Sequence, residues 1–263
     1  MRNDMSTATG EQQHRLRLEL FEQVHDLILP MPSTTCSVTA LLPSARTIVH
    51  AVADAAAQAA LEKGKKVSCG PGCGACCRQL VPISVVEASA LVTAIDARPA
   101  EYRKRVRRRF SQIVQRMETL GMLDPSAPRP RLALQGYGNN SSSLWLDVSK
   151  RYFAAALPCP LLESESCGLH IARPLVCRAY NVTSSPRRCR HLHRGAEALP
   201  RPLDVESALA RTAHALDCSP PHLIPLPLAM EWSDSCPNAF AEQHDAETML
   251  AQFLDDLLSQ SKW

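Results

Sequence analysis

Cys69-Gly70-Pro71-Gly72-Cys73-Gly74-Ala75-Cys76-Cys77 places four thiols within nine residues of a Gly/Pro-rich turn. Such a stretch has little apolar surface to bury, and its glycines let the backbone wrap a small central object. Thiolates converging from a tight loop suit a soft metal or an iron–sulfur cluster. The spacing allows Cys69, Cys73 and Cys76 to face one centre. Neighbouring Cys76 and Cys77 diverge by roughly 100° in a helix and point to opposite sides of an extended chain. One of them is therefore expected to serve a second metal, bridge two metals or remain a free thiol. A closed zinc site that only fixes loops is the competing reading, since structural zinc can supply on the order of 10 kcal/mol of folding free energy.

A second block follows some eighty residues downstream: Cys159-Pro160-Leu161-Leu162, then Cys167-Gly168-Leu169-His170, then Arg173-Pro174-Leu175-Val176-Cys177-Arg178, with Cys189 after a further loop. Pro174 suits the first turn of a short helix that would lift Cys177 into the site. Eight thiols suffice for two four-coordinate centres, or for one cluster plus one mononuclear metal. Around two divalent ions they would leave a local charge of about −4, which needs compensation if buried. Arg78, Arg173, Arg178, Arg187, Arg188 and Arg190 flank the cysteines and could donate hydrogen bonds to sulfur, raising a cluster's reduction potential. Of these, Arg78, Arg173 and Arg178 are the expected cofactor-binding cations. His170, His191 and His193 are further candidate ligands, and a His replacing one thiol would favour an open, catalytic position.

Residues 69–87, including Val81-Pro82-Ile83-Ser84, and residues 159–180 together resemble the YkgJ-like cysteine-cluster family, a zinc- or iron-chelating domain. The resemblance implies that Cys69, Cys73, Cys76, Cys77, Cys159, Cys167, Cys177 and Cys189 bind zinc, iron or an iron–sulfur cluster. It also places Arg173 and Arg178 at the family's Arg-Pro and Cys-Arg positions. Flagellin lysine N-methylases carry a similar cluster, which implies that some members modify protein side chains. The long extra region expected of a flagellin methylase has no counterpart here. Cys69-x3-Cys73-x2-Cys76 also matches the cluster triplet of radical S-adenosylmethionine enzymes. Ala75 stands where those enzymes carry an aromatic, and their repeated strand–helix units are not found. Cys36, Cys218 and Cys236 fall outside the motifs and read as small buried apolar residues.

The chain has 263 residues, 45% of them hydrophobic but only 5% aromatic, so Leu, Val and Ala must do most of the packing. Net charge is +3 with neutral His, which demands neither nucleic acid nor an anionic membrane. The first eleven residues lack a secretory pattern. Eleven cysteines without an export signal point to a reducing cytoplasm, where thiols bind metals rather than staple loops. The uncharged run 27–45 is broken by Pro30, Pro32 and Pro43 and is a poor membrane span.

Leu16, Leu18, Leu20, Phe21, Val24, Leu27 and Ile28, set among charges at helix-like spacing, predict a helix over 11–29, and no alternating strand pattern of useful length is read. Further helices are expected at 44–65, ending at Gly64, and from the capping box Ser84-Val85-Val86-Glu87 to 97. Others are expected at 99–120, 144–156, 204–216 and 239–258. The Pro/Gly/Asn/Ser-rich stretch 124–143 reads as a loop, and its Gly136-Tyr137-Gly138-Asn139-Asn140 segment as a surface loop or a lid over the metal site. The basic run Arg103-Lys104-Arg105-Val106-Arg107-Arg108-Arg109 would wrap its helix rather than form one groove-facing stripe. It reads as a solvated helix or a docking surface for an acidic partner, and not as a nucleic-acid site.

The expectation is therefore a mostly α protein, an irregular helical domain organised around a cysteine-rich metal site. Residues 1–66 form an N-terminal helical region, 67–195 the metal-binding core with a variable insert at 121–144, and 196–263 a C-terminal helical region on the core. The function expected is that of an iron-dependent enzyme acting on a peptide, protein or small metabolite by oxidation or group transfer. The alternatives are a zinc-stabilised non-catalytic module and a metal-delivery protein.

Overall fold

The structure, a computed structural model, describes residues 11–32, 34–131, 142–191, 195–220 and 223–259. Among them helix dominates, with eight α-helices and only short sheets apart from one hairpin. That hairpin corrects the expectation of a helix over 11–29. Strands β1 (Glu11–Leu20) and β2 (Gln23–Pro32) pair antiparallel, with Leu16 opposite Leu27 and Leu20 opposite Gln23. The two-residue turn is made by Phe21 and Glu22, both at positive φ (51° and 66°), as the twist of a tight hairpin requires. Leu16, Leu18 and Leu20 on β1, with Leu29 and Met31 on β2, are buried on one face. Burying each such side chain contributes about 1.5–3 kcal/mol. That outweighs helix-versus-strand propensity differences of up to about 1 kcal/mol.

Helix α1 (Leu41–Glu62) lies against the hairpin and buries Leu41, Leu42, Ala45, Ile48, Val49 and Val52, an apolar stripe at helical spacing. It stops before Gly64, whose φ of +72° provides the left-handed exit. Helix α2 (Val85–Asp96) is apolar on most of its surface and is packed by neighbours on several sides. Its start is the expected capping box: Glu87 N–H donates to Ser84 Oγ, and Ser84 N–H donates to Glu87 Oε2 at 2.9 Å. The second Glu87 oxygen accepts from Leu175 N at 2.7 Å. One buried carboxylate thereby joins the start of α2 to the start of α5 (Leu175–Ala179), the short helix that carries Cys177.

Helix α3 (Ala100–Thr119) buries Val106, Phe110, Ile113 and Met117, and α4 (Ser142–Ala154) adds Val148 and Tyr152 to a second apolar cluster. Strand β3 (Pro82–Ile83) pairs with β6 (Ile224–Pro225), tying the segment after the first cysteine block to the C-terminal third. Strands β4 (Leu162–Glu163) and β5 (Ser166–Cys167) form a minimal hairpin inside the second block. Helix α6 (Val205–Asp217) packs on α8 (Ala246–Leu258), and α7 (Ala229–Ser235) packs on α2. The helix expected over 239–258 begins only at Ala246. Asp245 caps it by accepting from Thr248 N, and Phe240 sits at φ +64°, outside helical space. Helix α7 was not anticipated; its turns follow directly on the Pro-rich 219–228 stretch. Residues 136–140, the expected lid, lie outside the described residues. Among the described residues no helix is long and apolar enough to cross a membrane.

Arg131 closes the chain leaving α3. Its guanidinium, 2% exposed, bonds Glu231 of α7 and Glu118 of α3, each at 2.6 Å. Removing one partner of a buried pair strands the other. Arg131→Met should therefore lower unfolding free energy by about 3–5 kcal/mol in urea titrations.

Glu87 supplies a pH-dependent term. Burial pushes its carboxyl from 4.5 up to about 7, against the pull of the donors from Leu175 and Ser84. The folded state thus holds a proton that the unfolded chain releases near 4.5. Through this group, stability should be greatest below pH 4.5, fall as pH rises to about 7 and level off beyond. Glu87→Gln should flatten that slope in melting curves across pH 5–8, and lower stability by about 1–3 kcal/mol by replacing one acceptor with an amide donor.

Candidate metal centre

The first block folds as two successive turns. Cys73 N–H donates to Gly70 O and Cys77 N–H to Gly74 O, each at 3.1 Å, and residues Ala75–Arg78 form a 3-10 turn. Gly72 takes φ +81° to reverse the chain. Gly74 lies flat on the β4–β5 hairpin: a Cβ there would sit 2.8 Å from Leu162 Cδ1 and 3.0 Å from the Glu165 backbone. A side chain there would push the Leu162 side chain aside and crowd the Glu165 backbone, so glycine suits the approach.

Backbone bonds join the two blocks. Cys159 N–H donates to Cys77 O at 2.6 Å, and Ser68 N–H to Val182 O at 2.9 Å. Val182 N–H points at Cys69 Sγ, 3.4 Å away. The 3-10 turn of the first block packs on a second one, Pro186–Arg190, which carries Cys189.

These loops enclose an open cavity of about 330 Å³, walled by Cys73, Cys76, Cys77, Cys159, Cys167 and Cys177, with His170, Arg173, Val81, Leu161 and Leu226. Cys69 and Cys189 stand behind this wall in a small apolar cluster with Ala75, Val182 and Cys73. The charges they would carry define two neighbourhoods. Cys189 is coupled to Cys69, Cys76 and Cys73, whereas Cys177 is coupled to Cys159, Cys76 and Cys167. Cys76 belongs to both. Adjacent Cys76 and Cys77 both line the chamber. The chamber is wide enough for each to occupy its own stretch of wall.

Burial favours the protonated form of several of these thiols. Burial pushes Cys159 up to about 12 and Cys189 up to about 11. Cys177 is raised by burial, and Cys76 by the adjacent Cys77 thiol and by burial. Arg173 works in the opposite direction on Cys69, Cys76 and Cys167. It lines the cavity, its Nη1 lies 2.8 Å from His170 Nε2, and its Nε is buried without a hydrogen-bond partner. An unpaired buried donor at an electronegative wall fits an anionic thiolate–metal assembly. Burial and Arg173 lower the pKa of His170, Arg173 being the larger cause. His170 is therefore a neutral imidazole whose Nε2 accepts from Arg173.

Arg178 and Arg78 turn their donors elsewhere. Arg178, buried, donates to Arg173 O at 2.9 Å and to Ile171 O, and meets His50 Nε2 at 3.1 Å. It clamps the turn that presents Arg173, and burial pushes its own pKa down to about 10. Arg78 donates to Gly74 O at 2.8 Å and pairs with Glu165 at 2.6 Å, fixing the first loop to the β4–β5 turn. Arg187 and Arg190 line an outer groove beside Cys73 and Gly74, and Arg188 donates to Gly195 O. His191 is exposed, and His193 lies outside the described residues. Cys36 is buried and Cys236 half-buried, but Cys218 is exposed, placed at φ +49° just past α6.

Several supporting residues had no sequence signal. Arg105 and Arg109 of the basic run pair with Glu163 at 3.2 and 3.0 Å, so α3 holds the β4–β5 hairpin that ends in Cys167. Arg107 pairs with Asp96 and Asp234, and the guanidinium groups of Arg98 and Arg105 each lie 5.3 Å from the Tyr102 ring centroid. Much of the run is thus internally paired rather than simply solvated.

The donor set fits a metal centre, and its breadth bears on which kind. A tetrahedral zinc holds thiolates at about 2.3 Å, placing sulfurs roughly 3.8 Å apart. Among the described residues, no three of these cysteine sulfurs lie within 4.8 Å of one another. A polynuclear cluster spreads its thiolates more widely, because they bind different metal ions.

A family model described as CxxCxxCC, putative zinc- or iron-chelating domain, matches residues 68–197. This segment of the chain belongs to that family, and the match covers both cysteine blocks and everything between them. No curated protein and no solved structure matches the chain significantly.

Metal must displace protons from raised thiols, so affinity should climb with pH. Zinc binding to the metal-free protein, measured by chelator competition, is expected to strengthen by at least about tenfold per unit between pH 6 and 8, one decade for each proton released.

Proposed function

With residues 68–197 as a metal-chelating cysteine domain, we propose that the chain carries a polynuclear iron centre, of iron–sulfur type, on the wall of an open substrate cavity. In this reading it is an iron-dependent enzyme acting on a peptide, protein or small metabolite by oxidation or group transfer. The observation that carries it is the spread of six cysteines around a 330 Å³ chamber instead of a closed knot of four. Cys76, Cys77, Cys159, Cys167 and Cys177 would hold the cluster, which when bound supplies electron transfer or an open iron site.

The chain's own residues supply the rest. Val81, Leu161 and Leu226 form the apolar wall that limits water at the centre. Arg173 offers a guanidinium to the cluster's sulfur or to an anionic substrate group. His170 orients that guanidinium through Nε2, and Arg178 fixes the turn beneath both. Cys69 and Cys189 are packed with Cys73 in an apolar cluster behind the wall, and the Val182 amide points at Cys69 Sγ, so these thiols back the cluster-binding wall.

Anaerobic purification with elemental analysis and an absorption spectrum tests the proposal. Brown protein containing iron and acid-labile sulfide, lost in Cys159→Ser, is the expected result. Colourless protein carrying stoichiometric zinc alone would make the domain a zinc-stabilised module and end the enzyme reading.

A further inference from the structure

Away from the cysteines, α6 ends at Asp217, and the loop entering α8 lays Glu242 and His244 beside it. One ligating atom from each of Asp217, Glu242 and His244 lies within 4.8 Å of the other two. His244 Nε2 is 3.1 Å from Asp217 Oδ1, which alone would describe a simple Asp–His tether. Two observations go beyond a tether. The Asp217 side chain is more than nine-tenths buried, at 8% exposure, yet its Oδ2 is buried with no hydrogen-bond partner. Glu242 then brings a second carboxylate to the same point, an arrangement that like-charge repulsion opposes unless a cation lies between them.

We propose that Asp217, Glu242 and His244 form a separate site for a divalent transition-metal cation of the zinc or manganese class. An imidazole with two carboxylates is the mixed nitrogen–oxygen set such ions accept, and a +2 ion neutralises both carboxylates. The buried Oδ2 gains its partner, and the exposed Glu242 leaves the ion's outer face open to water. The position gives the ion a structural consequence. His244 exchanges two backbone hydrogen bonds of 2.9 Å with Cys36, in the segment that leads into α1. A bound cation therefore clamps three regions: the end of α6, the entry to α8 and the approach to α1.

Manganese(II) is the probe that isolates this site, because soft thiolates do not select it. Full-length protein with its cysteine centre loaded is titrated with manganese chloride, and free ion is followed by its paramagnetic resonance signal. The expected result is one ion bound per chain, with affinity reduced at least about tenfold in Glu242→Gln and in Asp217→Asn. Wild type should also melt at a higher temperature with the ion present, and the variants should not. Glu242 is exposed, so its substitution leaves the fold intact, and circular dichroism checks this. Failure of wild type to bind one equivalent, or a smaller loss of affinity in either variant, overturns the site.

Discussion

Eight thiols can share inorganic ions only if something other than the ions first holds their loops in register. Loops made of Gly, Pro and Cys bury too little apolar surface to do this by packing. Backbone hydrogen bonds between the blocks do it instead: the Cys159 amide on the Cys77 carbonyl, and the Ser68 amide on the Val182 carbonyl. Glu87 extends the same stitching to α5, since its two oxygens fix the starts of two helices at once. Every other feature of the centre presupposes this frame, including the shared position of Cys76 and the open chamber beside it.

Electrostatics follow from the frame. Withdrawing thiols from water disfavours their charged form, as it does at Cys69, Cys159, Cys167, Cys177 and Cys189, while Arg173 faces the cavity and favours the thiolate at Cys167. The remaining arginines act one layer out, where they hold backbone. Arg78 and Arg178 take up carbonyl oxygens of the loops, and Arg105 and Arg109 hold Glu163 on the small hairpin. Charge that looks generic along α3 is therefore part of what aims Cys167.

How much of this could be read from the sequence depended on the range of the signal. The cysteine motifs, the Ser84–Glu87 capping box and the stop at Gly64 are local chemistry and were legible from a few residues each. The N-terminal hairpin was not. Leu16, Leu20, Val24 and Leu27 satisfy helical spacing as well as Leu16, Leu18 and Leu20 satisfy alternation, and the Phe21–Glu22 turn lacks the Gly or Asn that marks a tight hairpin. The helix start at Ala246 was misplaced because Asp245 is one of several acidic residues there, and only the fold selects it as the cap. The second hydrogen bond of Glu87, the partners of the basic run and the His50–Arg178 contact all span long stretches of chain, so no local pattern announces them.

The distance along the chain between Cys77 and Cys159 has a consequence for biosynthesis. At ribosomal rates of about 5–20 residues per second, roughly 4–16 s separate the emergence of the first thiols from that of the carbonyl-matched partner that completes their frame. Over that interval Cys69 and Cys76 lack the burial that raises them in the folded chain, and so are more thiolate-like and more open to oxidation or stray ions than they will be in the finished protein. Loading the centre is thus a late step in maturation, set by the arrival of the second loop, and the nascent chain is the form most in need of protection.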